Sequence, residues 1–237
     1  MSAKGHRVFA AVYDHLNARA ERTWLGQRRA DLVARATGEV LEIGAGTGAN
    51  LAHYHGVARV VAAEPDPAML ARLRSRSDRA AVPVEVSDAP AEHLGLPDAS
   101  VDTVVCTLVL CSVADPDATL AELRRVLRPG GQLLVLEHLR GEGRRARWQD
   151  RVTPLWRQIG AGCHPNRDTL AAIERAGFHL EHRESFDPPR VPSIIRPFVE
   201  IVARPGSCRD DRLASGFARF LTQAAEMSAP PSCYGVS

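Results

Sequence analysis

Val40-Leu41-Glu42-Ile43-Gly44-Ala45-Gly46-Thr47-Gly48-Ala49-Asn50 decides how this chain is read. An apolar run closes on an acidic residue and then meets glycines at alternate positions. Glycine lets the backbone turn sharply and approach a ligand with no Cβ in the way. A helix beginning at Ala49 would add free N–H groups and a partial positive charge. The stretch reads as the first strand, the ligand loop and the next helix start of a doubly wound α/β domain.

Gly44, Gly46 and Ala49 also satisfy a loose dinucleotide pattern, a weak signal alone. Glu42 and the third glycine, Gly48, turn the reading toward S-adenosylmethionine. That molecule has an ammonium that calls for an acceptor and no pyrophosphate that calls for a helix dipole. Glu64 closes the next apolar run, 20 residues beyond Gly44, where a carboxylate can accept from both ribose hydroxyls. Asp88-Ala89 follows the third run, with Asp88 for the adenine amino group and Glu92 as its rival. The expected cofactor-binding set is Tyr13, Glu42, Gly44, Ala45, Gly46, Gly48, Asn50, Glu64, Pro65, Asp88, Ala89, Thr107 and Leu108.

Around this centre the chain alternates. Residues 7–36 read as helical, with Phe9, Val12, Tyr13 and Leu16 on one face. Tyr13-Asp14 reads either as part of a lid or as a core tyrosine beside an exposed aspartate. Residues 49–54 read as a helix, 57–63 as a strand, and 67–75 as a helix with Asp66 as N-cap and proline at its first position. Strands follow at 82–86 and 101–109, the second apolar enough to be buried on both faces. A helix over 118–127 is broken by Pro129-Gly130-Gly131, and strand 132–137 places His138 just past its end. Residues 144–159 read as a helix broken at Pro154, and 168–176 as another. The last two strands, 178–185 and 194–203, lie too close for a helical crossover, so one must run antiparallel. The domain boundaries are a helical cap over 1–37, the α/β domain over 38–204 and a tail over 205–237, with an amphipathic helix at 212–225.

Composition sets the class. The chain has 237 residues, 45% of them hydrophobic, enough for one large α/β domain. A net charge of +2 argues against a nucleic-acid partner. The arginines between 140 and 151 read as a solvated helix face. The five cysteines, Cys106, Cys111, Cys163, Cys208 and Cys233, show no zinc spacing, and His53 and His55 lack a third ligand. No metal is expected. No stretch approaches a membrane span, and residues 1–7 do not lead into a signal peptide. The expectation is a cytoplasmic protein, monomer or homodimer, acting on a small molecule without stable membrane insertion.

Glu42-Ile43-Gly44-Ala45-Gly46-Thr47-Gly48, Glu64, Asp88-Ala89 and Val126-Leu127-Arg128-Pro129-Gly130-Gly131 resemble the class I S-adenosylmethionine-dependent methyltransferases over roughly residues 8–204. The resemblance implies a Rossmann-like, doubly wound, seven-stranded sheet, mostly parallel with an antiparallel last strand, behind an N-terminal helical cap. Within that class, residues 46–50, 105–113, Glu137-His138, Trp148, Trp156, Gly162-Cys163 and Arg196-Pro197 are similar to the methyltransferase-like thiol S-methyltransferases. Animal members of that group carry an N-terminal membrane anchor, which this chain is expected to lack. The implied activity is methyl transfer to a small acceptor, with a thiol as one candidate. Oxygen, nitrogen or carbon acceptors of quinone or natural-product type stay open, as does a non-catalytic cofactor-binding protein.

A thiol titrates near ~8.5, so a basic neighbour would supply thiolate at neutral pH. His138 is the first candidate for that role and His164 the second. Cys111 reads as a small buried hydrophobe near the pocket. Trp148 and Trp156 either wall an apolar acceptor pocket or pack the helix.

Overall fold

The computed structural model describes residues 17–206. Tyr13-Asp14, read either as part of a lid or as a core tyrosine beside an exposed aspartate, and the helix expected at 212–225 of the tail lie outside the described residues. The described helical cap contains a π-helical turn, Glu21–Leu25, that continues into α1 (Gly26–Val33). Strands β1 (Glu39–Ile43), β2 (Arg59–Ala63), β3 (Val84–Ser87), β4 (Val101–Thr107) and β5 (Leu127–His138) follow, then β6 (Phe178–Phe186) and β7 (Phe198–Pro205). Among the described residues, helices α2 (Pro67–Ser77), α3 (Pro116–Val126), α4 (Gly143–Ile159) and α5 (Thr169–Arg175) accompany these strands.

The sheet has seven strands in the order β3-β2-β1-β4-β5-β7-β6. β1 to β5 pair in parallel, and β7 runs antiparallel to both β5 and β6. The single reversed strand follows from chain length. Residues 187–197 hold only a 3₁₀ turn, Ser193–Ile195, and a parallel return needs a dozen or more residues. Side chains alternate between two cores. Leu41, Ile43, Val104 and Val135 face Leu120, Leu123 and Ile173 on one side; Val40, Val60, Val105 and Leu134 face Leu32, Leu70 and Leu73 on the other.

Three local readings change. Residues 49–54 do not form an α-helix: Ala49–His53 is a 3₁₀ turn capped by Gly48 at φ 84°. The helix dipole expected behind the glycine loop is therefore missing there. α4 passes through Pro154 unbroken. Its missing N–H leaves the carbonyl of Asp150 without that partner, on an exposed residue where water can serve. β5 starts at Leu127, so Pro129-Gly130-Gly131 lies within an extended segment whose register with β4 shifts between Val101 and Thr103. The Asp66, Asp115 and Asp168 caps form, each carboxylate accepting from the first turn of its helix.

Gln149 ties α4 to two other segments, the turn after β5 and the stretch leading into β7. Its Oε1 accepts from Gly141 N at 2.7 Å, and its Nε2 reaches Ile194 O at 2.8 Å, Arg196 O at 3.3 Å and Leu139 O at 3.4 Å. The side chain is wholly buried, so removing it strands backbone groups that nothing else satisfies. Gln149→Ala is expected to cost about 2–3 kcal/mol. A lower urea midpoint at unchanged slope is the readout.

Candidate active site

The parallel strands deliver their loops to one edge of the sheet, the carboxyl edge, where open α/β sheets bind ligands. Ile43 runs into Gly44 at φ 58°, a conformation that favours glycine. A Cβ at Gly44 would collide with the Val109 side chain, so the loop after β1 lies directly against the loop after β4. Ala45 N donates to Ala63 O at 3.1 Å and Gly46 N to Glu64 Oε2 at 2.8 Å. Asp66 N donates to Glu64 Oε1 at 2.8 Å. Glu64 is thereby clamped at the end of β2, with lone pairs left over on the cleft side. Burial raises its carboxyl above the ordinary value, while the two backbone donors oppose the rise.

Beneath the loop sits a buried polar group. Glu42 Oε1 accepts from Asn50 Nδ2 at 3.0 Å and Oε2 from the Tyr54 hydroxyl at 2.9 Å. Asn50 also donates to Thr107 Oγ1 at 2.9 Å and accepts from Arg29 at 3.0 Å. Burial pushes the Glu42 carboxyl up to about 7; Tyr54, Arg29 and Asn50 hold it from going higher. Burial also lifts the Tyr54 hydroxyl, with Glu42 adding to it.

The other end of the site is built from the loop after β4, the end of β5 and the loop after α4. His138 Nε2 stands 3.1 Å from Cys163 Sγ, and the Sγ atoms of Cys111 and Cys163 lie with a His138 ring nitrogen inside 4.8 Å of one another. Buried Glu137 accepts from Cys111 N at 3.2 Å and His138 N at 3.0 Å. Cys163 hydrogen bonding and burial raise the Cys111 thiol well above its ordinary value. Burial opposes charge on His138, but Cys111 and Glu137 outweigh it and push the ring up to about 9.

A cleft of about 890 Å³ joins the two ends. Of the residues expected from the sequence, Gly44, Gly46, Glu64, Pro65, Ala89, Leu108 and His138 line it. Glu42, Ala45, Gly48, Asn50, Asp88 and Thr107 do not; Glu42, Asn50 and Thr107 face inward as the polar group beneath the loop. His164 is also outside the lining. Its N–H donates to Cys111 O at 2.8 Å and its Nδ1 lies 3.2 Å from the same oxygen, so it anchors the Cys111 turn. Burial, then Arg167 and Arg157, lower its pKa, which keeps the ring neutral. Trp156 lines the cleft, whereas Trp148 points away and is 41% exposed. Glu92 lines the cleft while accepting from Ala114 N and Asp115 N.

Sequence reasoning missed Asn17, Asp66, Met69, Cys163, Ile195 and Phe198, all in the lining. Asp66 and Met69 had a signal, because they belong to the turn that follows Glu64. Phe198 and Ile195 had none: the residues that reverse into β7 reach the cleft only through the sheet order.

Known proteins resemble the chain as follows. Residues 41–135 match the family described as a methyltransferase domain. Thiol S-methyltransferase TMT1A of Homo sapiens is 36% identical over 165 residues, 68% of each chain. Thiol S-methyltransferase TMT1B of Rattus norvegicus is 41% identical over 155 residues, 63% of this chain and 64% of the relative. The match thus spans just under two thirds of the length of TMT1B. The S-adenosylmethionine-dependent methyltransferase of Mesorhizobium loti has a similar structure, with a TM-score of 0.57 at 24% identity over 75% of this chain and 96% of that one. The cyclase SpnF has the same fold, with a TM-score of 0.64 at 18% identity over 87% and 96%.

The Glu42 titration can be measured. The folded chain holds the proton more tightly than the unfolded chain, where the carboxyl titrates near its ordinary 4.5. The stability this contributes is full below that value and is lost as pH rises through about 7. Between about pH 5 and pH 8 the chain is expected to lose on the order of 2–3 kcal/mol from this group. Glu42→Gln, compared by urea unfolding at both pH values, should lose correspondingly less.

Proposed function

The chain belongs to the class I S-adenosylmethionine-dependent methyltransferases, and from that premise we propose that it transfers a methyl group from this cofactor to a small-molecule thiol. The observation that carries the reading is the continuity of the cleft, from the Gly44–Gly46 backbone and Glu64 at one end to Cys111, His138 and Cys163 at the other. Its first end suits the cofactor. A clamped carboxylate with spare lone pairs matches two adjacent hydroxyls, Met69, Ala89 and Leu108 offer faces to an adenine, and glycine backbone leaves room for close approach. Bound there, S-adenosylmethionine supplies a methyl group already activated on a sulfonium sulfur.

The protein's own task is positioning. Gly44 and Gly46 hold one side of the donor and Glu64 the ribose. Glu42, Asn50 and Thr107 act from beneath by fixing the loop, with Ala45 and Gly48 shaping its backbone and Asp88 standing beside the lining residue Ala89. Trp156, Ile159, Ile195 and Phe198 offer apolar surface to an acceptor's hydrocarbon part. His138 is the basic neighbour of the acceptor end, and His164 serves it by holding the Cys111 turn. The likeness to the thiol S-methyltransferases TMT1A and TMT1B supports a thiol acceptor. More distant relatives include the ubiquinone/menaquinone biosynthesis C-methyltransferase UbiE of Shewanella frigidimarina, 36% identical over 138 residues, which names the carbon-acceptor alternative. No helix among the described residues is long and apolar enough to cross a membrane. A cytoplasmic location is part of the proposal, supported by the free thiols of Cys106, Cys111 and Cys163.

The test is methyl transfer from labelled S-adenosylmethionine to a panel of alkyl thiols, hydrogen sulfide, phenols and amines. Product on thiols alone supports the proposal. Product on phenols or amines keeps the family and discards the thiol. Glu64→Ala is expected to weaken cofactor binding by about 1–3 kcal/mol, roughly 5- to 150-fold, through lost charge-assisted hydrogen bonds. Calorimetric titration of the folded variant checks it, and unchanged affinity would remove Glu64 from the site.

A further inference from the structure

We propose that Cys111, His138 and Cys163 bind one thiophilic divalent cation of the zinc class, leaving its fourth position open to the cleft. Three residues from three distant parts of the chain bring two sulfurs and an imidazole nitrogen inside 4.8 Å. Zinc bonds of about 2.3 Å to sulfur and about 2.0 Å to nitrogen, set tetrahedrally, need ligand atoms about 3.5–3.8 Å apart. The His138–Cys163 separation of 3.1 Å is within a small adjustment of that spacing. Carboxylate or carbonyl oxygens would favour magnesium or calcium, whereas two thiolates and an imidazole select zinc or a softer ion.

The ligands are held before any metal arrives. Glu137 accepts from the backbone of both Cys111 and His138, His164 N–H fixes Cys111 O, and Cys163 N donates to Gly160 O at 3.0 Å. Pinning of this kind orients ligand side chains. Charge also balances, because two thiolates offset a divalent cation and a neutral imidazole adds nothing. A buried site of low polarity favours such a neutral sum. Glu137 and Arg167, whose guanidinium donates to Leu110 O at 2.7 Å, stand as opposite charges on its flank.

Among the described residues no fourth protein ligand joins the group, and all three members line the cleft. Three protein ligands and an open position distinguish catalytic zinc sites from structural ones. Resting on the thiol reading above, the open position would take the acceptor sulfur: the S–H bond breaks, the sulfur's electron pair coordinates the cation, and the proton leaves to solvent. Specificity for thiols over phenols and amines then follows from the softness of the cation.

The experiment titrates the full, reduced, metal-free chain with Co²⁺ and then displaces it with Zn²⁺. Expected are one equivalent bound and a thiolate-to-cobalt charge-transfer band. Cys111→Ser and Cys163→Ser should each lose the band. Each should also weaken Zn²⁺ binding by at least about 100-fold, more than loss of an outer partner costs. The double variant Cys208→Ser/Cys233→Ser should bind as the parent does. Retained S-adenosylmethionine binding certifies that each variant is folded. No stoichiometric binding, or binding that survives in both Cys111→Ser and Cys163→Ser, overturns the site. An alkyl thiol should shift the cobalt spectrum where a phenol does not; no shift overturns the open-position role. Thiol methylation at full rate by the metal-free chain overturns the inference and leaves the proposed function standing. Metal binding without thiol product does the reverse.

Discussion

A buried carboxylate, Glu42, sets the conditions for the glycine-loop end of the cleft. It sits near the end of β1 and is buried, so it must be hydrogen-bonded or protonated. Tyr54 and Asn50 supply the bonds, and Asn50 passes the constraint to Thr107 on β4 and Arg29 on α1. One side chain thereby fixes the chain on both sides of the glycine loop to the neighbouring strand and the helical cap. The loop can present bare backbone to the cleft because its far side is held by this group. Glu64 completes the arrangement by clamping Gly46 and Asp66 with its two oxygens.

The other end of the cleft depends on a different kind of constraint. Cys111 follows β4, His138 ends β5 and Cys163 follows α4. Two of them arrive on adjacent parallel strands whose carboxyl ends share an edge. The third arrives because α4 is tied down by Gln149, which bonds both the turn after β5 and the segment leading into β7. Reversal of β7 then brings Phe198 beside His138, their rings 6.2 Å apart, and closes the apolar wall.

Legibility in the sequence followed the range of the forces involved. Strand and helix types were readable from periodicity, and the Asp66 cap from its position before a helix. The antiparallel last strand was readable from connection length alone. Gly44, Gly46 and Glu64 line the cleft as expected, because their placement is local to a turn or a strand end. Glu42 and Asn50 were placed at the ligand by spacing, but tertiary packing turned them inward. The helix expected at residue 49 became a 3₁₀ turn, since Gly48 at its cap and the Asn50 and Tyr54 bonds to Glu42 favour a tighter path. Pro154 did not break α4, because the carbonyl it leaves unbonded belongs to an exposed residue.

The sequence by itself determined the class of fold, the order of its elements and the location of the glycine loop, because glycine conformation, strand alternation and helix capping act within a few residues. Only the tertiary structure decided which polar groups face the cleft and which lie under it, since that depends on what packs behind each strand. It alone assembled Cys111, His138 and Cys163, whose separations along the chain follow no metal-binding spacing. Their meeting is set by the pairing of β4 with β5 and by the docking of α4, contacts between residues far apart in sequence that no local pattern records.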